Sequence, residues 1–489
     1  MASRLLSKSK YLSGLRCPLL LWTYVNNAGI LPPVSTSTQH RFDEGNTVGH
    51  FAKSLFPEGI DIPVDNFIGN TRQTEKLLFS RKPLFEAGIL SGRLYARADV
   101  LNPVENDAWD IYEVKSSTSI KEANIHDVAF QKFVYQQKGI KIGRCLLIYI
   151  DTNYVKHGEI DPKGLFKVED ISGIAEDASI GMEERIQNMF AVMDSKNRPE
   201  CTLGSYCLSP WECDLKPVCW GKLPENHIFE LDGSRAKKFM FYDRGILSIK
   251  DIPDEIDLTR KQTIQKNCIE TGNIHVDRGE LSHFLKKIEY PIYYLESATI
   301  NPAIPIYDST RPYQHVPFQF SLRIDRQPDL PPVLHSFLAE GNEDPRPAFL
   351  CKLKNLLGFS GSVIVNNAGF NKSILKELAR AFPEYESWAE SVTSRMVDIL
   401  SPFNDFHYFD PAQKDFDAFR TTLSVASSTE CPDKNDETGM DAGIAFLQIA
   451  KGLVTPEQAE GITRDLNAHC ETETAAMVEI LNKLREFAY

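Results

Sequence analysis

Ala98-Asp99-Val100-Leu101, followed by Trp109-Asp110-Ile111-Tyr112-Glu113-Val114-Lys115, is the stretch of sequence that decides the fold. Leu94–Leu101 and Trp109–Lys115 both have the composition of strands, and the residues between them, Asn102-Pro103 and Asn106-Asp107, are typical of turns. We therefore predict a β-hairpin. Because successive side chains of a strand point to opposite faces, Glu113 and Lys115 share one face, and Asp99 on the paired strand can reach the same edge.

Two carboxylates and a lysine suit the hydrolysis of a phosphodiester by a divalent cation. Hard oxygen ligands hold Mg²⁺ or Mn²⁺, and the metal activates water, while a lysine can orient that water or stabilise developing charge. Farther along, Gln131 and Tyr135 are four residues apart and share one face of a helix predicted over Asn124–Lys138. The alternative is that the acids and the lysine are solvent-facing residues of an edge strand.

These residues resemble the PD-(D/E)XK nuclease superfamily, in particular its RecB-like branch, which includes the CRISPR-associated exonucleases. The resemblance implies that Asp99, Glu113 and Lys115 are catalytic, with Asp99 and Glu113 holding the metal. It also implies that Gln131 and Tyr135 form the accessory motif of the branch.

The sequence departs from this branch upstream of the hairpin. The branch usually has a histidine in a G-x-x-x-H context, whereas Gly45-Asn-Thr-Val-Gly49 carries glycine at that place and His50 follows one residue later. His50 is therefore a weak candidate metal ligand, and an exposed or packed histidine is the competing interpretation. Glu86 is a further candidate with weaker grounds.

Four cysteines, Cys201, Cys207, Cys213 and Cys219, are evenly spaced within 19 residues. Soft thiolates at this density suggest Zn²⁺ or an iron–sulfur cluster. Disulfides are not expected beside an intracellular nuclease, where thiols stay reduced. Spacing alone does not decide which four cysteines bind.

The RecB-like branch often carries a [4Fe–4S] cluster held by one N-terminal cysteine and three beyond the nuclease core. The resemblance implies Cys17, Cys207, Cys213 and Cys219 as this set, with Cys201 as the spare, and Zn²⁺ stays open as the alternative metal. The first forty residues contain basic residues and no acid, which is also typical of an organelle transit peptide. Removal of a transit peptide would also remove Cys17, so a cluster ligand at Cys17 argues against this interpretation.

The C-terminal half shows a second order of elements. Strands are predicted near Ile292–Leu295, over Phe318–Ile324 and over Ser362–Val365, and helices alternate with them from Ala348 onward. The motifs Tyr293-Tyr-Leu-Glu296-Ser-Ala298, Arg311-Pro-Tyr-Gln-His-Val-Pro-Phe-Gln-Phe320, Val365-Asn-Asn-Ala-Gly-Phe370-Asn371 and His469-Cys-Glu-Thr-Glu473 accompany this order. It resembles the RNase H-like 3′–5′ exonucleases of the DEDD type. The whole chain resembles a bacterial family of unknown function that fuses such a domain to a RecB-like one.

The second site departs from the family pattern at the metal-binding positions. The pattern has D-x-E first, an acid in the second motif and an Asp in the last, where this chain has Glu296 and Ala298, Asn371, and Glu473. Alanine cannot bind a metal, asparagine lacks charge, and glutamate is one methylene longer than aspartate. We therefore expect a degenerate site and a pseudo-exonuclease domain with roles in substrate placement, dimerisation or partner docking.

The predicted fold is α/β in three parts. Residues 1–220 form a PD-(D/E)XK nuclease-like domain, residues 221–287 a connecting subdomain, and residues 288–489 an RNase H-like domain. The net charge of −13 is uneven: residues 1–290 carry 37 basic and 39 acidic residues, and residues 291–489 carry 17 and 28. DNA, if it is a partner, is thus expected on the first part, because an acidic surface repels phosphates.

The sequence thus predicts a metal-dependent deoxyribonuclease with Mg²⁺ or Mn²⁺ and a [4Fe–4S] cluster. The resemblance implies action on single-stranded DNA or DNA ends, in repair or in defence against foreign DNA. The main alternative is a non-catalytic nucleic-acid-binding or scaffold protein with both sites idle. No run of about 18 apolar residues occurs, so we expect a cytoplasmic protein without a membrane partner.

Overall fold

The computed structural model describes residues 4–209, 211–328, 330–412 and 442–489. The chain divides into two units: unit 1 is Met1–Lys222 with Pro302–Tyr313, and unit 2 is Leu223–Asn301 with Gln314–Tyr489. The residues expected to form a connecting subdomain therefore belong to unit 2 from Leu223 onward. A short segment at Pro302 returns to unit 1, which no pattern in the sequence indicates.

Unit 1 alternates helices and strands. Its strands are β1 (Leu6–Ser7), β2 (Ile60–Asp61), β3 (Leu84–Ser91), β4 (Leu94–Pro103), β5 (Trp109–Lys115), β6 (Ile142–Ile150) and β7 (Phe166–Asp170). Its helices are α1 (Lys8–Arg16), α2 (Pro18–Asn26), α3 (Thr36–Lys53), α4 (Phe67–Leu77), α5 (Glu122–Gln137), α6 (Pro162–Leu165), α7 (Ser172–Ser179), α8 (Met182–Asp194) and α9 (Lys216–Trp220).

The strands of unit 1 form one seven-stranded sheet in the order β2-β3-β4-β5-β6-β7, with β1 beside β4. β4 and β5 pair antiparallel, as the predicted hairpin requires, and β5 runs parallel to β6. The helix predicted over Asn124–Lys138 is α5. β3 was not predicted, because its side chains are buried on both faces and the sequence lacks the alternation of a half-exposed strand.

The two faces of this sheet are covered differently. Ile111 of β5 lies in the main core, together with Val128 and Phe130 of α5, and Tyr11 of α1 stacks on Phe130 with ring centroids 4.7 Å apart. On the opposite face, Val114 packs in a smaller cluster that includes residues of α3. Glu113 therefore points toward the layer that holds α1 and α5.

Unit 2 begins with small elements and continues with a second sheet. Its strands are β8 (His275–Val276), β9 (Ile292–Ile300), β10 (Val316–Asp325), β11 (Val333–Leu338), β12 (Val363–Val365), β13 (Met396–Asp398) and β14 (Tyr408–Phe409). Its helices are α10 (Arg235–Asp243), α11 (Arg260–Thr271), α12 (Arg278–Leu285), α13 (Pro345–Leu356), α14 (Ala368–Ala381), α15 (Glu386–Ser394), α16 (Ser401–Asn404), α17 (Ala442–Ala450) and α18 (Pro456–Ala488).

The main sheet of unit 2 has five strands in the order β11-β10-β9-β12-β13. β9, β10 and β11 are antiparallel, and β12 runs parallel to both β9 and β13. Two helix predictions differ from the structure. Trp388–Leu400 was expected to be one helix but contains β13, and the two helices predicted after Pro456 are the single helix α18. In both cases packing against the sheet overrides the local pattern.

The mixed α/β class predicted from the sequence is confirmed by these two sheets with their helices. Among the described residues, no helix combines the length and apolar character that a membrane crossing needs.

Candidate functional site

The hairpin of unit 1 opens where its acidic residues lie. Backbone pairing of β4 with β5 runs from Pro103 opposite Trp109 to Val100 opposite Tyr112 and does not continue to Asp99. There the Asp99 carboxylate replaces a strand partner, because its Oδ2 accepts a hydrogen bond from the Val114 N–H at 2.7 Å. The gap between the strands thus places Asp99 beside Glu113.

Glu113 is the centre of a closed network of side chains. Its side chain is 1% exposed, and its Oε1 accepts hydrogen bonds from Lys115 Nζ at 2.5 Å and Lys8 Nζ at 2.7 Å. Its Oε2 accepts one from Gln131 Nε2 at 2.7 Å. The structure therefore brings Asp99, Glu113, Lys115 and Gln131 together, as the sequence predicts.

A further carboxylate completes the network. Asp127 of α5 accepts hydrogen bonds from Lys115 at 2.7 Å and from Gln131 at 2.9 Å, and the Lys8 Nζ is 3.7 Å from its Oδ2. Asp127 is buried. Three acids thus surround two lysines, which leaves one excess negative charge in a region of low dielectric.

The lysines keep Glu113 ionised. Burial and the neighbouring Asp99 push the pKa of Glu113 upward, but Lys115 and Lys8 outweigh both, and its pKa ends below the ordinary value. Burial lowers the pKa of each lysine, but the surrounding carboxylates more than compensate, so that both pKa values are raised. The network is therefore charged at neutral pH.

The remaining predicted residues of this site lie elsewhere. Tyr135 is fully buried, donates to the Ala87 carbonyl and accepts a hydrogen bond from the Ala98 N–H at 3.2 Å, so it ties α5 to the sheet. His50 is exposed on α3, where its ring lies beside Phe51 and makes no hydrogen bond or ion pair with Asp99 or Glu113. Glu86 forms an ion pair with Arg97 at 3.0 Å.

Sequence reasoning missed Lys8 and Asp127. Asp127 precedes Gln131 by four residues and thus shares its helix face, so the predicted helix contained a signal for it. Lys8 had none, because 105 residues separate it from Glu113. It reaches the site because β1 pairs with Leu94 and Tyr95 and α1 starts at Lys8, directly after β1.

A second candidate site in unit 1 is a cavity lined with sulfur. Five cysteines line it together with Tyr206 and Trp220: they are Cys17, Cys201, Cys207, Cys213 and Cys219. The sulfur atoms of Cys17 and Cys201 are 3.2 Å apart. The structure therefore gathers the predicted set and the spare cysteine in one place.

Hydrogen bonds attach helices α1 and α2 to the segment 195–214, which carries three of these cysteines. Arg16 Nε donates to the Tyr206 carbonyl at 2.6 Å, and Tyr24 donates to Asp214 Oδ2 at 2.6 Å. Trp22 Nε1 donates to the Ser195 carbonyl at 2.9 Å. Cys17 directly precedes α2, where it is the N-cap residue.

Burial raises the pKa of three of these thiols and so favours their protonated form. It raises the pKa of Cys17 to about 12, with a smaller contribution from Cys201, and it raises the pKa values of Cys213 and Cys219. Within the described ranges, no group of three or more His, Cys, Asp or Glu side chains is arranged so that it could hold a metal ion. A metal ion at the five cysteines or at the network around Glu113 therefore requires some of these side chains to move.

The candidate site of unit 2 lies between β9 and α18. Glu296, Ala298, His469 and Cys470 line one pocket, with Gln319 on its β10 side. Burial raises the pKa of Glu296 to about 8, and repulsion from Glu473 adds to the shift. The structure thus brings Glu296, Ala298 and Glu473 into one region, as the resemblance implies.

Asn371 has a different environment. It is buried on α14, where its Nδ2 donates to the carbonyls of Asn366 and Asn367 at 2.9 and 3.2 Å. Its Oδ1 accepts a hydrogen bond from Ser297 Oγ at 3.3 Å. These contacts join the start of α14 to β9.

Comparison with known proteins identifies no function. Residues 293–417 match a family model described as "Domain of unknown function (DUF2779)". This match covers part of the predicted RNase H-like domain, and the fusion to a RecB-like domain expected for the whole chain stays a prediction. No curated protein matches the chain. A solved structure, "Crystal structure of SSO0001", aligns at 13% identity over 45% of this chain and 88% of its own length, with a TM-score of 0.23. A similarity this weak carries no argument about function.

Proposed function

We propose that unit 1 is a metal-dependent deoxyribonuclease domain in which Asp99, Glu113 and Lys115 are the catalytic residues. One observation carries the proposal: β4 and β5 separate where two acids and a lysine meet, with Lys115 Nζ 2.5 Å from Glu113 Oε1. A buried ionised carboxylate held by lysines is more typical of a functional site than of an exposed edge strand.

The donor set suits Mg²⁺ or Mn²⁺ in its chemistry, because Asp99 and Glu113 offer hard oxygens. When bound, such an ion activates water and stabilises negative charge on phosphate. Lys115, held by Glu113 and Asp127, is placed to orient the attacking water, and Gln131 fixes the Glu113 carboxylate. Both Glu113 oxygens accept hydrogen bonds from side chains of this protein, so one of these donors must move before an ion can bind.

We propose DNA, single-stranded or at its ends, as the substrate. This choice follows from the RecB-like resemblance, and the charge distribution agrees with it, since residues 1–290 lack the acidic excess of the C-terminal half. The resemblance also supports an exonuclease rather than an enzyme that cleaves internal sites.

We propose further that the sulfur-lined cavity holds a [4Fe–4S] cluster with a structural role, Zn²⁺ being the alternative. Five cysteines around one cavity support a soft-metal site. A bound cation lowers the pKa of a coordinating thiol, which offsets the effect of burial. Cys17 and Cys201 compete for the fourth ligand position because their sulfurs are in contact.

For unit 2 we propose a pseudo-exonuclease domain. The order of strands and helices agrees with the RNase H-like resemblance, and the acids at Ala298 and Asn371 are missing. With a pKa of about 8, Glu296 carries a proton at neutral pH and is a weak cation ligand.

The decisive test is a cleavage assay of anaerobically purified full chain on labelled single-stranded DNA, duplex DNA and RNA with Mn²⁺. Asp99→Asn keeps the oxygen that accepts the Val114 N–H but removes the charge, so we expect at least about a hundredfold loss of cleavage in a folded protein. Asp107→Asn is the matched control, because Asp107 lies in the turn of the same hairpin and is 95% exposed. Equal activity of wild type and Asp99→Asn would exclude the proposed site.

The cysteine proposal has its own measurement. Wild-type protein purified without oxygen should be brown and contain iron, whereas stoichiometric zinc in a colourless sample contradicts a cluster. Cys17→Ser and Cys201→Ser, compared side by side, decide the fourth ligand: the variant that loses the metal identifies it. Cys351→Ser is the control, since Cys351 is exposed in unit 2.

One observation favours the alternative of a non-catalytic DNA-binding or scaffold protein. Both Glu113 oxygens are already hydrogen bonded within the chain, as in a purely structural ion-pair network. If metal-loaded protein cleaves none of the three substrates but binds one of them, this alternative replaces the nuclease.

A further inference from the structure

Lys8 holds an unusual place in the network of unit 1. Its ammonium group is 2.7 Å from Glu113 Oε1 and 3.7 Å from Asp127 Oδ2, so it lies between two carboxylates. Lys115 contacts the same two carboxylates at 2.5 and 2.7 Å. Both amines therefore contact Glu113 Oε1, although one of them is sufficient to pair with the single negative charge of this carboxylate.

The two lysines differ in their attachment. Lys115 is in β5, which pairs with strands on both sides, and it lies on the same strand as Glu113. Lys8 is the first residue of α1. The two side chains are similarly exposed, at 28% for Lys8 and 24% for Lys115, so the difference lies in the element that holds each of them. A lysine side chain is a flexible chain of four methylene groups. Lys8 can therefore turn its amine to solvent while α1 stays packed on α5 through Tyr11 and Phe130.

The charge count favours replacement of this amine by a divalent ion. Asp99, Glu113 and Asp127 carry three negative charges against the two of Lys8 and Lys115. If Lys8 leaves and a dication enters, the site becomes balanced with Lys115 still in place. Glu113 Oε1 then exchanges one cation for another, with no unpaired buried carboxylate left behind.

We propose that Lys8 is a positioning residue of this site that occupies the place of a divalent cation on Glu113 and leaves when the ion binds. This inference rests on the proposed function of unit 1. Lys8 then sets a threshold: only an ion that binds Glu113 more favourably than the built-in amine enters, and the carboxylates stay paired until it does.

Binding of Mn²⁺ to the full chain tests the inference directly. Free Mn²⁺ is counted by electron paramagnetic resonance in titrations of wild type, Lys8→Gln and Lys8→Arg. We expect Lys8→Gln to bind Mn²⁺ about ten to a hundred times more tightly, because the ion no longer has to displace a charged amine from Glu113. Lys8→Arg keeps the charge and should resemble wild type. An unchanged or weaker affinity of folded Lys8→Gln overturns the inference.

Lys10 provides the matched control. It belongs to the same helix, and its Nζ donates to the Leu5 carbonyl at 3.0 Å rather than to Glu113. Lys10→Gln changes the net charge by the same amount as Lys8→Gln but removes no amine from Glu113, so it should leave the Mn²⁺ affinity within about twofold of wild type. If Lys10→Gln and Lys8→Gln gain Mn²⁺ affinity equally, the gain comes from the change in net charge and not from the loss of a competing amine. This result would contradict the inference.

A second measurement needs no variant and covers the case in which Lys8→Gln does not fold. Acetic anhydride labels accessible amines, and mass spectrometry measures the labelling of each lysine. Mn²⁺ should raise the labelling rate of Lys8 several-fold and leave that of Lys10 unchanged. Labelling of Lys8 that stays constant at saturating Mn²⁺ overturns the inference.

These outcomes separate this inference from the proposed function. If wild type binds Mn²⁺ and cleaves DNA, yet Lys8→Gln gains no affinity, only the role of Lys8 fails. If neither protein binds Mn²⁺ and neither cleaves, the nuclease proposal fails and the inference falls with it.

Discussion

The two units each place a glutamate in a poorly solvated pocket, but the two carboxylates have opposite protonation. Glu113 of unit 1 is buried among Lys8, Lys115 and Gln131, and its pKa is lowered. Glu296 of unit 2 faces Glu473, and its pKa is raised to about 8. At neutral pH the first is an anion and the second is mostly a neutral acid.

The difference shows that neighbouring charge, more than burial, decides what a buried carboxylate can do. Desolvation raises both pKa values, and only the lysines of unit 1 reverse that effect. A cation can exchange with an amine on Glu113, whereas on Glu296 it must first displace a proton. The comparison supports the proposal that a metal-dependent active site lies in unit 1.

The largest effect expected from this comparison is on stability. Glu113→Ala removes a buried carboxylate that accepts hydrogen bonds from Lys8, Lys115 and Gln131, and we expect a loss of about 3–5 kcal/mol in the free energy of unfolding. Denaturant unfolding followed by circular dichroism measures this. Asp107→Asn, in the exposed turn, should change it by less than about 0.5 kcal/mol. A loss as small for Glu113→Ala would mean that the network contributes little.

The second effect is a pH dependence confined to unit 2. Since the pKa of Glu296 rises from 4.5 to about 8 on folding, the folded state takes up a proton between these values, and stability falls as the pH rises through this window. The slope is at most about 1.4 kcal/mol per pH unit. Glu296→Gln cannot titrate, so it should match wild type near pH 5 and exceed it in stability near pH 8.

Differential scanning calorimetry of wild type and Glu296→Gln at several pH values checks this expectation. The difference between the two proteins isolates Glu296 from the other titrating groups. If the stability of wild type and that of Glu296→Gln change in the same way between pH 5 and pH 8, Glu296 is ionised throughout this range. The contrast with Glu113 then disappears.

The smallest effect concerns activity. Asn371→Ala removes the hydrogen bonds to Ser297 and to two backbone carbonyls, and we expect it to cost about 1 kcal/mol of stability. Cleavage by the folded variant should stay within about twofold of wild type, because Asn371 lies in unit 2. A loss of cleavage comparable to that of Asp99→Asn would move the catalytic site to unit 2.

Local pattern was sufficient for part of the site. The hairpin of β4 and β5, the helix face that carries Gln131, and the shared face of Glu113 and Lys115 all follow from alternation and turn residues. The resemblance correctly grouped Cys17 with the later cysteines and Glu296 with Glu473. The first three features depend on contacts within one element or between neighbouring strands, whereas the last two groupings were implied by the resemblance and not by local pattern.

Other features had no local signal. Tyr135 was expected to belong to the accessory motif together with Gln131, and only the packed structure shows its hydroxyl between β3 and β4. The contact of Cys17 with Cys201 spans 184 residues. The return of Pro302–Tyr313 to unit 1 is likewise invisible in composition.

By itself, then, the sequence determined the chemistry that each segment can offer: oxygen and amine groups on a hairpin, thiols on a loop, and a second site short of acids. Only the tertiary structure decided which charges meet. It set Lys8 against Glu113 and left Glu296 facing another acid, because the energy of a buried charge depends on neighbours brought from distant parts of the chain.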